Sequence, residues 1–171
     1  MMPAGYCNPD GIAFDLKKNL WYVDVVNGVE VLLTAASHYN TVGGWLFYGP
    51  GYGSTDGLVG IAIDSKGNHW VVDTTCAGNL YENTVFTGFS AGDALDSIAI
   101  SSSNPSHKPH IYVGVTNFCG NYLFPFVGDW TDYIVLPHPY ESGGDAINGI
   151  STLLYFTDWS YNWVWVTTDT V

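Results

Sequence analysis

GIAIDSKGNHWVVDTTCAGNLY, running from Gly60 to Tyr81, decides the fold of this chain. GIAID reads as a short apolar strand. SKGN reads as a turn in which Gly67 and Asn68 accept backbone angles that other residues avoid. HWVVDT reads as a second strand of β-branched and aromatic residues. CAGN adds another turn signal and LYENTV a third strand, so roughly 25 residues hold three antiparallel strands and leave no room for a helix. The unit is a β-meander.

The same unit recurs on both sides. First strands begin at PDGIAFD from Pro9, LVGIAID from Leu58, LDSIAIS from Leu95 and AINGIS from Ala146. Second strands follow as LWYVDV from Leu20, HWVVDT from His69, HIYVGV from His110 and LLYFTDW from Leu153. Third strands are expected at GVEVLLTA, NLYENTV, NYLFPFV and NWVWVTT. Further extended segments are WLFYG at Trp45, VFTGF near Val85, read as continuing the third strand, and DYIVLP at Asp132. Successive starts at Ile12, Ile61, Ile98 and Ile150 lie 49, 37 and 52 residues apart. That brackets the ~40 to 50 residues of a four-stranded propeller blade. The expectation is a single all-β, β-propeller-like domain over residues 1–171. It has about four blades of three to four antiparallel strands, near 9–57, 58–94, 95–145 and 146–171, the last incomplete. An unfinished fourth blade invites pairing with another chain, so self-association is the expected partnership.

Composition agrees with many short strands: 16% aromatic against 12% charged residues, with 20 glycines. The formal net charge of −12 opposes contact with nucleic-acid phosphates and anionic lipid surfaces. No run approaches the ~20 apolar residues of a membrane span, and the opening MMPAGYCNPDG lacks the regions of a signal peptide. The scarcity of lysine points to an extracellular or secreted setting. Of Cys7, Cys76 and Cys119, the last two occupy matching turns of neighbouring repeats. A disulfide between them requires those turns to lean within ~7 Å between Cα atoms.

In a propeller the heads of the first strands converge on one mouth of a central channel. Asp10, Val59, Asp96 and Asn148 hold that position here, three of them oxygen ligands. Asp24, Asp73 and Asp158 each end a second strand, and their recurrence points to turn capping. His69 heads a second strand and is expected to face solvent. In WSYNWVW, the residues Trp159, Tyr161, Trp163 and Trp165 alternate and would share one face of an extended strand. They form a candidate subunit interface or sugar-stacking surface for a small molecule or glycan.

PDGIAFDLKKNLWYVD, GIAIDSKGNHWVVD and AINGISTLLYFTD resemble the blade starts of NHL-repeat and SMP-30/gluconolactonase-like propellers. In the lactonase-like branch, the resemblance implies a divalent cation, calcium or zinc, held at the channel mouth by Asp10 and Asn148, with Asp96 the remaining oxygen ligand or base by its position alone. There the cation would polarise a lactone or ester carbonyl. The branch has about six blades and places its NG-type blade before its PDG-type blade, and this chain departs from both. The sequence therefore ranks a non-catalytic binding or self-assembling module first, a metal-dependent hydrolase second and a carbohydrate-binding module third.

Overall fold

The computed structural model describes residues 8–39, 45–48, 57–101, 109–116, 119, 126–131, 134–135, 147–154 and 162–168. Sheet one comprises β1 (Pro9–Phe14), β2 (Leu20–Asp24), β3 (Val29–Leu33) and β4 (Trp45–Tyr48), adjacent in that order. Sheet two repeats the pattern with β5 (Leu58–Ile63), β6 (His69–Asp73), β7 (Asn79–Glu82) and β8 (Val85–Ser90). Sheet three has β9 (Leu95–Ser101), β10 (His110–Val115), β11 (Phe126–Asp129) and β12 (Ile134–Val135). Sheet four pairs β13 (Ile147–Leu154) with β14 (Asn162–Thr168). Every pairing is antiparallel. The chain is all-β: among the described residues the sole helical element is a 3-10 turn at Ala35–Ser37, and no sheet closes on itself.

Two strand assignments differ from the sequence reading. VFTGF does not continue the third strand. The chain reverses at Asn83 and Thr84, whose φ values of 48° and 69° belong to a two-residue hairpin turn, and β8 runs back along β7. In the third repeat, the end of NYLFPFV falls in β11, which pairs with β10, and residues 121–125 lie outside the described residues. In the fourth repeat, Leu153 and Leu154 extend β13 instead of starting a second strand, and NWVWVTT pairs directly with β13. The physical reason is local. Sheets one and two turn after the first strand on Asp-x-Lys-x-Asn, and Ser151–Thr152–Leu153–Leu154 has no such turn chemistry.

That turn is a hydrogen-bond network built twice. Asp64 Oδ1 accepts from the backbone N–H groups of Lys66 and Asn68, both at 2.8 Å. Its Oδ2 accepts from the Asn68 amide at 2.9 Å and the Trp70 indole at 3.3 Å. Asp15 makes the same four contacts with Lys17, Asn19 and Trp21 at 2.8–3.1 Å. Burial acts to raise both carboxyls, but these donors together outweigh it and hold Asp15 and Asp64 below the usual carboxylate value. Gly67 takes φ 87° in the second turn, whereas Lys18 occupies the same place in the first at φ 61°. Asn68 contributes its side chain, not an unusual backbone angle.

At the other end of the second strands, Asp24 accepts from the N–H groups of Val26 and Asn27. Asp73 binds Thr75, Asn79 and the Tyr81 hydroxyl. Both are fully buried and both cap turns; Asp158 lies outside the described residues.

The sheets pack through their first strands, β1 against β5, β5 against β9 and β9 against β13. A Cβ on Gly11 would stand 2.8 Å from the Gly60 Cα between β1 and β5, and one on Gly60 would stand 3.0 Å from Ile98 Cγ2 of β9 and 2.9 Å from Val72 Cγ2 of its own sheet, so these contacts leave no room for a side chain. Between sheets one and two, Trp21, Val23, Leu32, Leu58, Ile61 and Tyr81 form one buried cluster. Between sheets two and three, Trp70, Val72, Leu80, Leu95, Ile111 and Val113 form another. Each large aliphatic side chain so buried contributes about 1.5–3 kcal/mol of transfer free energy. A Cys76–Cys119 disulfide, with Cα atoms 5.5 Å apart, ties the turn after β6 to the segment after β10. The buried carboxylate of Asp93 accepts the Cys119 N–H at 2.8 Å and steadies that segment.

Candidate functional site

The four strand-head positions share a backbone irregularity. Pro9 faces Asp24 but Ile12 faces Tyr22; Leu58 faces Asp73 but Gly60 faces Val72. Ser97 faces Gly114 but Leu95 faces Val115, and Gly149 faces Thr167 but Ile147 faces Thr168. One extra residue is thus inserted in each first strand, at Val59, Asp96 and Asn148, and within the Asp10–Gly11 pair in sheet one. Such bulges re-aim a side chain and recur beside binding sites. The candidate residues therefore lie inside the first strands at a bulge, not just ahead of them as the sequence suggests.

Their chemistry differs by sheet. Asp10 is exposed on β1, and partial desolvation pushes its carboxyl above the usual value. Val59 is buried on β5. Asp96 is half-buried on β9, and its neighbour Ser97 stands where sheets one, two and four have glycine. The Ser97 hydroxyl is buried and has no hydrogen-bond partner among the described residues. Asn148 is described as backbone on β13. Strand order brings the Asp96 and Asn148 heads onto adjacent strands, β9 and β13, while β5 stands between β1 and β9. Among the described residues no group of three or more His, Cys, Asp or Glu side chains is gathered as a metal cluster. Trp163 and Trp165 take alternate positions on β14, and Trp159 and Tyr161 lie outside the described residues.

A second constellation went unread in the sequence. His69 does not face solvent: its side chain is 15% exposed, and its Nδ1 lies 2.7 Å from Oε2 of Glu30, whose own side chain is 1% exposed. That distance is a hydrogen bond joining the imidazole ring to the Glu30 carboxyl group. The imidazole also stands edge-on to the Trp21 indole, with ring centroids 3.9 Å apart. Asn83 Oδ1 accepts the His69 N–H at 3.0 Å. These residues and Thr84 line a cleft of about 250 Å³ between sheets one and two. The pair bridges the two sheets and gives a buried carboxylate its partner. The available signal was Glu30 itself, a lone charge inside the apolar run GVEVLLTA.

No protein-family model matches the chain, and no curated protein matches it.

Proposed function

We propose that the chain is a non-catalytic binding and self-assembling module of the propeller type, related to the NHL and SMP-30-like repeats, in which the fourth sheet of one copy covers the first sheet of another. The supporting observation is a contrast between equivalent residues. Ile61 of β5 is 5% exposed because sheet one covers it, and Ile63 is partly buried against the same cluster. Their counterparts on β1, Ile12 and Phe14, are 64% and 60% exposed, and Leu16 beside them is 70% exposed. The same strand face that one sheet buries is bare on the sheet before it, and bare apolar surface of this kind marks a contact. Among the described residues, sheet four is two strands wide and packs through β13 against sheet three at the end of the row. Light scattering across a concentration series should show an oligomer, and Phe14→Glu should shift it toward monomer. A wild-type chain that stays monomeric at the highest concentration refutes the reading.

A second reading, a metal-dependent lactonase or esterase, is favoured by the bulged heads. Asp10, Asp96 and Asn148 offer two carboxylates and an amide, a hard oxygen set suited to calcium more than zinc. A partly desolvated carboxyl at Asp10 and an orphaned hydroxyl at Ser97 fit a bound cation. Such a cation would polarise a substrate carbonyl. Added calcium should then raise the melting temperature, and Asp10→Ala should abolish the rise; an unchanged melting temperature removes this reading.

A further inference from the structure

The cleft between sheets two and three, about 280 Å³, is lined by Trp70 on β6, Glu82 on β7, Val85, Phe86 and Thr87 on β8, and Trp130 after β11. Its construction follows from strand register. Trp70 and Glu82 are directly opposed across β6 and β7, and Glu82 is opposed to Val85 across β7 and β8, so the three share one face of sheet two. Trp130 is brought in from sheet three and held there. Its N–H donates to the Ile111 carbonyl at 2.8 Å. The following Thr131 is fixed by Asp129 Oδ1 at 2.9 Å and by the Pro109 carbonyl at 2.8 Å. The Phe89 ring packs on Trp130 at 4.8 Å between centroids.

We propose that this cleft binds a small alkylated ammonium ion of the choline type. Three features select that chemistry. First, two indole side chains from different sheets line the same cleft as a carboxylate, and cations are attracted to the faces of such rings. Second, among the described residues the Glu82 carboxylate has no hydrogen-bond or ion-pair partner, while the buried acids Asp24, Asp64, Asp73, Asp93 and Asp129 are all engaged. Third, two hydrogen-bond donors of the cleft are already committed. The Trp70 indole N–H donates to Asp64 and the Thr87 hydroxyl to the Leu80 carbonyl at 2.8 Å. A sugar needs donors as well as acceptors, whereas an alkylated ammonium needs a negative charge, π faces and apolar contact for its methyl groups. Val85, 66% exposed at the rim, supplies the last. The net charge of −12 adds a long-range attraction for cations.

The test is saturation-transfer NMR on the choline methyl signal, with titration at constant ionic strength. Choline should receive saturation and reach a plateau. Its neutral isostere 3,3-dimethylbutan-1-ol should bind roughly two- to thirtyfold more weakly. Glu82→Gln, with an unchanged melting curve, should weaken choline roughly two- to fivefold. Absence of transfer to choline, equal binding of the isostere, indifference to Glu82→Gln, or preferential binding of methyl glucoside would each overturn the proposal. None of these outcomes depends on the oligomeric state.

Discussion

Asp15 and Asp64 sit in nearly the same web of hydrogen bonds in sheets one and two, yet Ile12 and Ile61, three residues before each of them, are 64% and 5% exposed. The turn is determined by residues within a few positions of it, so the same short pattern gives the same geometry wherever it recurs. Burial is determined by what lies alongside, and here the two sheets differ: sheet two has a sheet on either side, whereas Ile12 and Phe14 of sheet one meet solvent. Local pattern and neighbourhood are therefore separable in this molecule, and substitutions at paired positions can separate them experimentally.

The largest difference is expected at the isoleucines. Ile61→Ala should destabilise the chain by about 2–4 kcal/mol in denaturant unfolding, because it opens a cavity in the cluster shared by sheets one and two. Ile12→Ala should change the stability of the dilute protein by no more than about 0.5 kcal/mol, its effect being seen in association instead. Equal losses at the two positions would mean that the face of β1 is covered within the single chain.

A smaller difference is expected at the turns. Asp64 is 2% exposed and receives the indole of the buried Trp70, so Asp64→Ala should cost about 2–3 kcal/mol. Asp15 is half-buried, water can replace part of what it provides, and Asp15→Ala should cost about 1 kcal/mol. The pH dependence has a definite sign. Both carboxyls lie below their ordinary value of 3.8 in the folded chain, so their contribution is present above that pH and disappears as pH falls through the folded values. Asp64→Asn should therefore flatten the acid limb of a melting-temperature profile more than Asp15→Asn does. An acid limb unaltered by either change would show that the networks do not couple to folding.

How much of this was written plainly in the chain depends on the range of the interaction. The hairpins of sheets one and two were readable because their strands alternate and their turns use Asp, Asn and Gly in fixed places. The meeting of Cys76 with Cys119 could be anticipated because both occupy matching turns of adjoining repeats. The Asn83–Thr84 reversal was not readable, since Thr carries a β-branched side chain into a left-handed conformation and so hides the turn. The bulges were invisible for another reason: an extra residue in one strand changes register without changing composition. Residues 10, 59, 96 and 148 stood out by alignment alone. Glu30 and His69 lie 39 positions apart and touch across two sheets, a contact that periodicity within either strand cannot report.

The close approach at Gly11 and Gly60 has one more consequence. Where the main chain of β1 rests on that of β5, the interval between these two first strands is a ruler marked in backbone atoms, which side-chain exchange elsewhere in either sheet leaves in place. The bulged residue one place earlier differs in chemistry from sheet to sheet. Aspartate, valine, aspartate and asparagine already occupy it in turn, like interchangeable teeth on a rack of fixed pitch. New specificity can then arise by exchanging a tooth while the spacing between teeth is inherited unchanged.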